Sequence, residues 1–200
     1  MTLVEGNEIP DVADEPQLYL LLAQPDSIHA MNLIFLKKLM EKKCIPLVVT
    51  VNQPFKILSK MYAAGGIDPD TIYAVDTVTL YSGGTATPGP KIRYVNNPGN
   101  LTDLGIAITE ILKSMPDGKK CILFDSVSML LIHTPTVTAA KFLHFVVNKL
   151  KLSDVSGIFL CVEKGLDPVI LSQMSAFVDK IVDFETKEPK TETSPPIHSG

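Results

Sequence analysis

The chain has no tryptophan, and aromatic residues make up only 6% of it. It has only three cysteines, Cys44, Cys121 and Cys161. An odd, sparse set does not make a disulfide framework, and these spacings are not those of a metal-binding motif. Cys121 and Cys161 fall in apolar runs and read as small buried hydrophobes. Basic blocks are absent too, and the net charge is −4. That excludes non-specific nucleic-acid binding through a wide positive surface. The apolar runs are interrupted by polar residues and fall short of the roughly 18 residues that span a bilayer. The first residues, Met1-Thr2-Leu3-Val4-Glu5-Gly6-Asn7-Glu8, are acidic, unlike a secretory leader. A cytoplasmic location is the expectation.

What the chain does have is apolar content: 46% over 200 residues. That suffices for one domain with a proper core. Continuous apolar runs at 17–22, 45–51, 71–76, 120–125, 157–162 and 180–184 read as parallel strands covered on both faces, with a minor strand at 91–95. Helical patterns fill the gaps at 27–43, 53–64, 101–114, 135–152 and 168–178. Asn52, Asn100, Thr134 and Asp167 are the expected caps of the last four, and Asp26 or Ser27 is a simple cap for the first. Gly65-Gly66 is expected to end the second helix. The succession predicts a three-layer α/β/α fold with a mainly parallel sheet and right-handed crossovers. Residues 1–16 read as an acidic extension outside the packed unit, 17–184 as the domain, and 185–200 as a polar, Pro-rich disordered tail.

The first strand, Leu18-Tyr19-Leu20-Leu21-Leu22, runs into Ala23-Gln24-Pro25-Asp26-Ser27-Ile28-His29-Ala30 and then into a helix. That is the layout of a phosphate-binding loop, G-x-x-x-x-G-K-[ST]. On this template the glycines fall on Ala23 and Ile28, the lysine on His29 and the Ser/Thr on Ala30. Each substitution removes a function. Ile28 resists the positive φ that lets amides converge on an anion. His29 is shorter than lysine and mostly neutral at pH 7. Ala30 has no metal-binding oxygen. Asp26 adds a like charge: at 4 Å and an effective dielectric near 20 it repels a phosphate by roughly 4 kcal/mol, about three decades in affinity. The helix N-terminus returns only about 0.3–1 kcal/mol.

Two further positions bear on the same site. Asp125 ends the strand Lys120-Cys121-Ile122-Leu123-Phe124-Asp125, as a Walker B acid does, but without a Ser/Thr at position 30 a metal loses its usual partner ligand, and hydrogen bonding to the following turn is the favoured reading. Asn52 and Gln53 stand after the second strand. They hydrogen-bond but accept no proton at neutral pH.

Taken in order, these pieces resemble the RecA/KaiC-like P-loop ATPase superfamily, in particular its archaeal KaiC-like and RadA-like branch. The likeness covers 17–184. It includes Asn52-Gln53-Pro54, the helix end Met61-Tyr62-Ala63-Ala64-Gly65-Gly66-Ile67-Asp68, the strand ending at Asp76, Leu123-Phe124-Asp125-Ser126, a strand closing on Glu163, and the run from Ser172 to Phe184. In that family glutamates that activate the attacking water stand where Asn52 and Gln53 stand here. The resemblance implies ATP bound between subunits of a ring or filament, which the substitutions at Ala23, Asp26, Ser27, Ile28, His29, Ala30, Asn52 and Gln53 argue against, leaving Asp125 as the matching acid.

The expectation is a pseudo-ATPase: no enzyme, no cofactor, no metal, and a regulatory or structural subunit that binds protein, either itself or an active RecA-like ATPase. One alternative is a residual nucleotide or anion sensor built on His29. Another is a single-stranded nucleic-acid accessory protein using Lys91, Arg93 and Tyr94 beside the Gly/Pro-rich segment 81–90. Other enzymatic chemistry has little support. His133 and His144 form no constellation. Of the acids Glu163 and Asp167, the second reads as a helix cap.

Overall fold

Each apolar run feeds both faces of one sheet. In the computed structural model, described over residues 3–5, 16–163 and 166–184, the strands are β1 (Leu3–Glu5), β2 (Leu18–Ala23), β3 (Ile45–Thr50), β4 (Tyr73–Asp76), β5 (Ile92–Tyr94), β6 (Lys120–Asp125), β7 (Ser156–Val162) and β8 (Lys180–Phe184). They form a single sheet in the order β1-β8-β2-β7-β6-β3-β4-β5. All the pairings between these strands are parallel. The helices are α1 (Ile28–Glu41), α2 (Phe55–Ala64), α3 (Leu101–Ser114), α4 (Val127–His133), α5 (Thr136–Leu152) and α6 (Pro168–Phe177).

The side-chain period of two sorts every strand between two cores. Leu18, Leu20 and Leu22 of β2 join α3, α4, α5 and α6 on one face. Tyr19, Leu21 and Ala23 join α1 and α2 on the other. The same alternation places Ile122 and Phe124 of β6 in the first core and Cys121 and Leu123 in the second. The result is the expected three-layer α/β/α arrangement. No described helix is long and apolar enough to cross a membrane.

Several local expectations change. Leu3–Glu5 pairs with β8, so part of 1–16 joins the sheet rather than lying outside it. The rest of 1–15 and the tail 185–200 lie outside the described residues. The caps at Asn100 and Asp167 form: Asn100 accepts from the Asp103 amide and Asp167 from the Val169 amide. Those at Asn52 and Thr134 do not. Prolines 54 and 135 take the N-cap positions, without a side-chain bond. The Thr134 hydroxyl is buried with no partner. At α2 a distant acid substitutes: Asp76, at the end of β4, accepts from the Phe55 amide at 2.8 Å. Gly65 and Gly66 (φ 82°) end that helix as expected.

Candidate functional site

β2 delivers the chain to the C-terminal edge of the sheet at Ala23, where a tight turn replaces the wide curl of a phosphate loop. The Ser27 amide donates to the Gln24 carbonyl at 3.0 Å, and the Ser27 hydroxyl donates to the same oxygen at 3.0 Å. Ser27 therefore stands at the N-cap position without capping, and Asp26 is exposed and does not cap either. Among the described residues positive φ occurs at Lys43, Gly66, Gly83, Gly118 and Asp154, never within 23–30. Without an alternation of right- and left-handed residues, successive amides do not form an anion nest. Ile28 is buried in the α1/α2 core, while His29 and Ala30 are exposed.

Asp125 is 1% exposed at the tip of β6. Its Oδ2 accepts from Asn32 Nδ2 at 2.9 Å. Asn32 Oδ1 in turn accepts from the Tyr62 hydroxyl at 2.7 Å. Three elements, α1, α2 and β6, are thus joined by one buried polar chain. Burial pushes the Asp125 carboxyl up to about 6, against the lowering effects of the Asn32 bond and the His29 charge. Burial, and after it the Asp125 charge, pushes the Tyr62 phenol up, with the Asn32 bond opposing. The carboxylate is satisfied by an amide of its own fold rather than by the turn that follows the strand.

Of the residues singled out from the sequence, the structure brings His29, Gln53 and Asp125 together. Gln53 Nε2 lies 3.4 Å from His29 Nδ1, and His29 acts electrostatically on Asp125. Thr50 fixes Gln53 by donating its hydroxyl to the Gln53 carbonyl at 2.5 Å. Asn52 is half-buried beside them. On the opposite side of the turn, Gln24 Nε2 donates to Glu163 at 2.9 Å. Among the described residues no group of three or more His, Cys, Asp or Glu side chains is placed to hold a metal ion.

Lys91, Arg93 and Tyr94 lie on or beside β5, separated from β6 by β3 and β4. Lys91 Nζ donates to the Asp70 carbonyl at 2.5 Å and sits 5.4 Å from the Tyr73 ring centre. Arg93 is paired with Glu110 at 3.6 Å. The Tyr94 hydroxyl bonds the Thr87 backbone. All three already have partners within the chain.

Asn32 and Tyr62 are the site residues that the sequence reading missed. A signal existed for Asn32. It is the one polar member of the buried face of α1, among Ile28, Phe35, Leu36 and Leu39. A polar side chain on an apolar stripe needs a buried partner. A different feature lies on the far layer, where Ile106 of α3 and Phe145 of α5 are about half exposed along a groove bordered by Lys113 and Lys141.

The family of unknown function DUF7504 matches residues 45–184. No curated protein matches. Among solved structures, an uncharacterized protein from Pyrococcus horikoshii, PH0321, crystallised in complex with an unknown peptide, superimposes with a TM-score of 0.61 at 12% identity, over 86% of this chain and 78% of that one. The KaiC-like protein PH0186 of the same organism gives a TM-score of 0.60 at 16% identity, over 86% and 74%. The fold is RecA/KaiC-like.

Proposed function

The chain belongs to the family of unknown function DUF7504, and we propose that this member is a RecA/KaiC-like scaffold without nucleotide hydrolysis, acting as a regulatory or structural subunit that binds protein. The observation that carries this reading is the turn closed by Ser27 on Gln24. In a P-loop, amides and a lysine converge on phosphate. Here the Ser27 amide within the loop is used internally, and the residue at the lysine position is His29. The Walker B position supports the same reading. Asp125 accepts from Asn32, and Ala30 offers no second metal ligand. Asn52 and Gln53 supply no proton acceptor for an attacking water.

The groove at Ile106 and Phe145 is in keeping with the protein-binding half of the proposal, since exposed apolar surface concentrates at interaction sites. So is the unknown peptide bound by the P. horikoshii relative. The partner with the best rationale is an intact RecA-like ATPase, because the scaffold is shared and the chemistry would be supplied by the other chain.

Calorimetry with Mg-ATP tests the first half. No saturable heat is expected with nucleotide in the millimolar range, and a micromolar dissociation constant would overturn the proposal. A second reading, an anion sensor, rests on His29 standing exposed at the N-terminus of α1 against Gln53. It requires that any anion binding found be lost in His29→Ala.

A further inference from the structure

α3 and α5 lie side by side over the first core. Both run from the C-terminal edge of the sheet to the N-terminal edge, because each returns the chain from one parallel strand to the next. Between them is a groove of about 660 Å³ that α3 lines from Leu101 to Lys113, a length of about 18 Å. Its walls are apolar: Ile106 is 53% exposed and Phe145 50% exposed. Gly105 sets the floor. A Cβ there would come within 3.2 Å of the Phe145 ring and 3.6 Å of the Phe142 ring, so glycine lets the two rings lie against the α3 backbone. A glycine inside a helix costs stability, and here it serves this close approach.

The charge around the groove is one-sided, although the chain as a whole carries −4. Lys113 stands in the last turn of α3 and Lys141 in the second turn of α5, toward opposite ends of the groove. Both are exposed, and neither pairs with a described acid. The two acids of α3 are engaged elsewhere: Glu110 with Arg93 at 3.6 Å, and Asp103 as acceptor from Asn100 Nδ2 at 2.7 Å. α5 contains no acid over its 17 residues. Two lysines beside an apolar floor therefore keep charge that the chain itself does not neutralise.

On the reading that this chain acts by binding protein, we infer that the groove takes an amphipathic helix of a partner. Its apolar side chains lie against Ile106, Phe142 and Phe145, and its carboxylates, about three turns apart, face Lys113 and Lys141. A helix is the form that fits. The walls are helices whose backbone groups are already bonded, so an extended segment would find no backbone partners, whereas a helix satisfies its own. A third helix laid between two neighbours is also ordinary ridge-and-groove packing. Other occupants match the charge less well. Nucleic acid carries a phosphate every few ångströms and needs a row of cations rather than two at the ends. A second copy would bring the same patch in a two-fold contact and set lysine against lysine.

The test is selection on the full chain from a displayed library of helices that share a Leu/Phe stripe and have randomised end residues. Binders with Asp or Glu at both ends are expected, competing for one site. They should bind the double variant Lys113→Glu/Lys141→Glu at least roughly 10-fold more weakly, and a fresh selection on that variant should return Lys or Arg at the ends. Ile106→Asp should abolish capture, and raised salt should weaken it. Circular dichroism melts establish that each variant is folded. Binders indifferent to all three substitutions would overturn the groove while leaving the protein-binding reading in place, and Mg-ATP calorimetry decides the nucleotide half of that reading independently. The inference is equally overturned by no binder at all, by ends without an acidic preference, or by capture of oligo(dT) that the lysine variant loses. It is overturned too by a dimer in sedimentation that Ile106→Asp dissociates, or by capture only after removal of residues 185–200, which would make the chain's own tail the occupant.

Discussion

Asp125 is where residue-scale chemistry is most exposed to test. Its pKa in the folded chain is pushed from the ordinary 3.8 to about 6, first by burial. A carboxyl with a raised folded pKa binds its proton more tightly in the native state. Its contribution to stability is therefore full below about pH 3.8, declines as pH rises toward 6, and is flat above that. The gap corresponds to on the order of 3 kcal/mol. Asp125→Asn keeps an oxygen for the Asn32 amide and removes the titration. The stability of the natural chain minus that of Asp125→Asn should then rise by a few kcal/mol between pH 7 and pH 4. Urea denaturation of both proteins across that range checks it, and the subtraction cancels every other acid. A difference that stays level, or falls as the pH is lowered, removes the assignment. The acid itself was legible in the sequence, because it ends an apolar strand. Its support was not, because Asn32 reaches it across 93 residues of chain and Tyr62 reaches Asn32 across 30, which no local pattern encodes.

At the scale of elements, strongly patterned segments and the minor strand at 91–95, seen as β5, were predicted well, whereas the short α4 and the remotely supported start of α2 were not. β6, β8 and α3 have the predicted bounds. Continuous apolar runs, the Asn100 cap and the Gly118 turn (φ 140°) mark them locally. The seven-residue α4 escaped prediction because two turns are too short for a helical period to declare itself. The start of α2 moved from Asn52 to Pro54 because the acceptor that secures it comes from β4. Asp76 accepts from the amides of Phe55, Val78 and Thr79, each at 2.8 Å, and from the Thr79 hydroxyl at 2.6 Å. One buried carboxylate thereby fixes the start of a helix and the loop leaving β4. Asp76→Ala leaves those donors without their acceptor and should cost about 2–3 kcal/mol. Asp76→Asn, which retains one acceptor oxygen, should fall between. Equilibrium urea unfolding measures both. A loss below roughly 0.5 kcal/mol for the alanine variant would mean that water replaces the carboxylate.

The whole molecule depends on a strand that lies outside the family match. DUF7504 covers residues 45–184, which leaves out β2 and α1. Yet β2 sits inside the sheet, paired with β7 on one side and β8 on the other. All six of its residues are buried. α1 contributes Ile28, Phe35, Leu36 and Leu39 to the second core and Asn32 to the bond with Asp125. A fragment spanning 45–184 would expose both inner edges of β7 and β8, whose unpaired backbone groups either find a partner or drive aggregation. It would also uncover the face of β6 and β7 that α1 covers. Removing several large buried side chains at about 2–5 kcal/mol each exceeds the typical total stability of about 5–15 kcal/mol. The fragment is therefore expected to show no cooperative thermal transition, whereas residues 16–184 unfold in one. Adding a peptide of residues 16–44 in trans should restore a transition, because the missing strand has a slot with bonding partners on both sides. Circular dichroism melts of the fragment, with and without the peptide, decide it. A fragment that melts cooperatively by itself would show that β7 and β8 close the gap, and that the strand bearing Ala23 is an addition to the family's core rather than its centre.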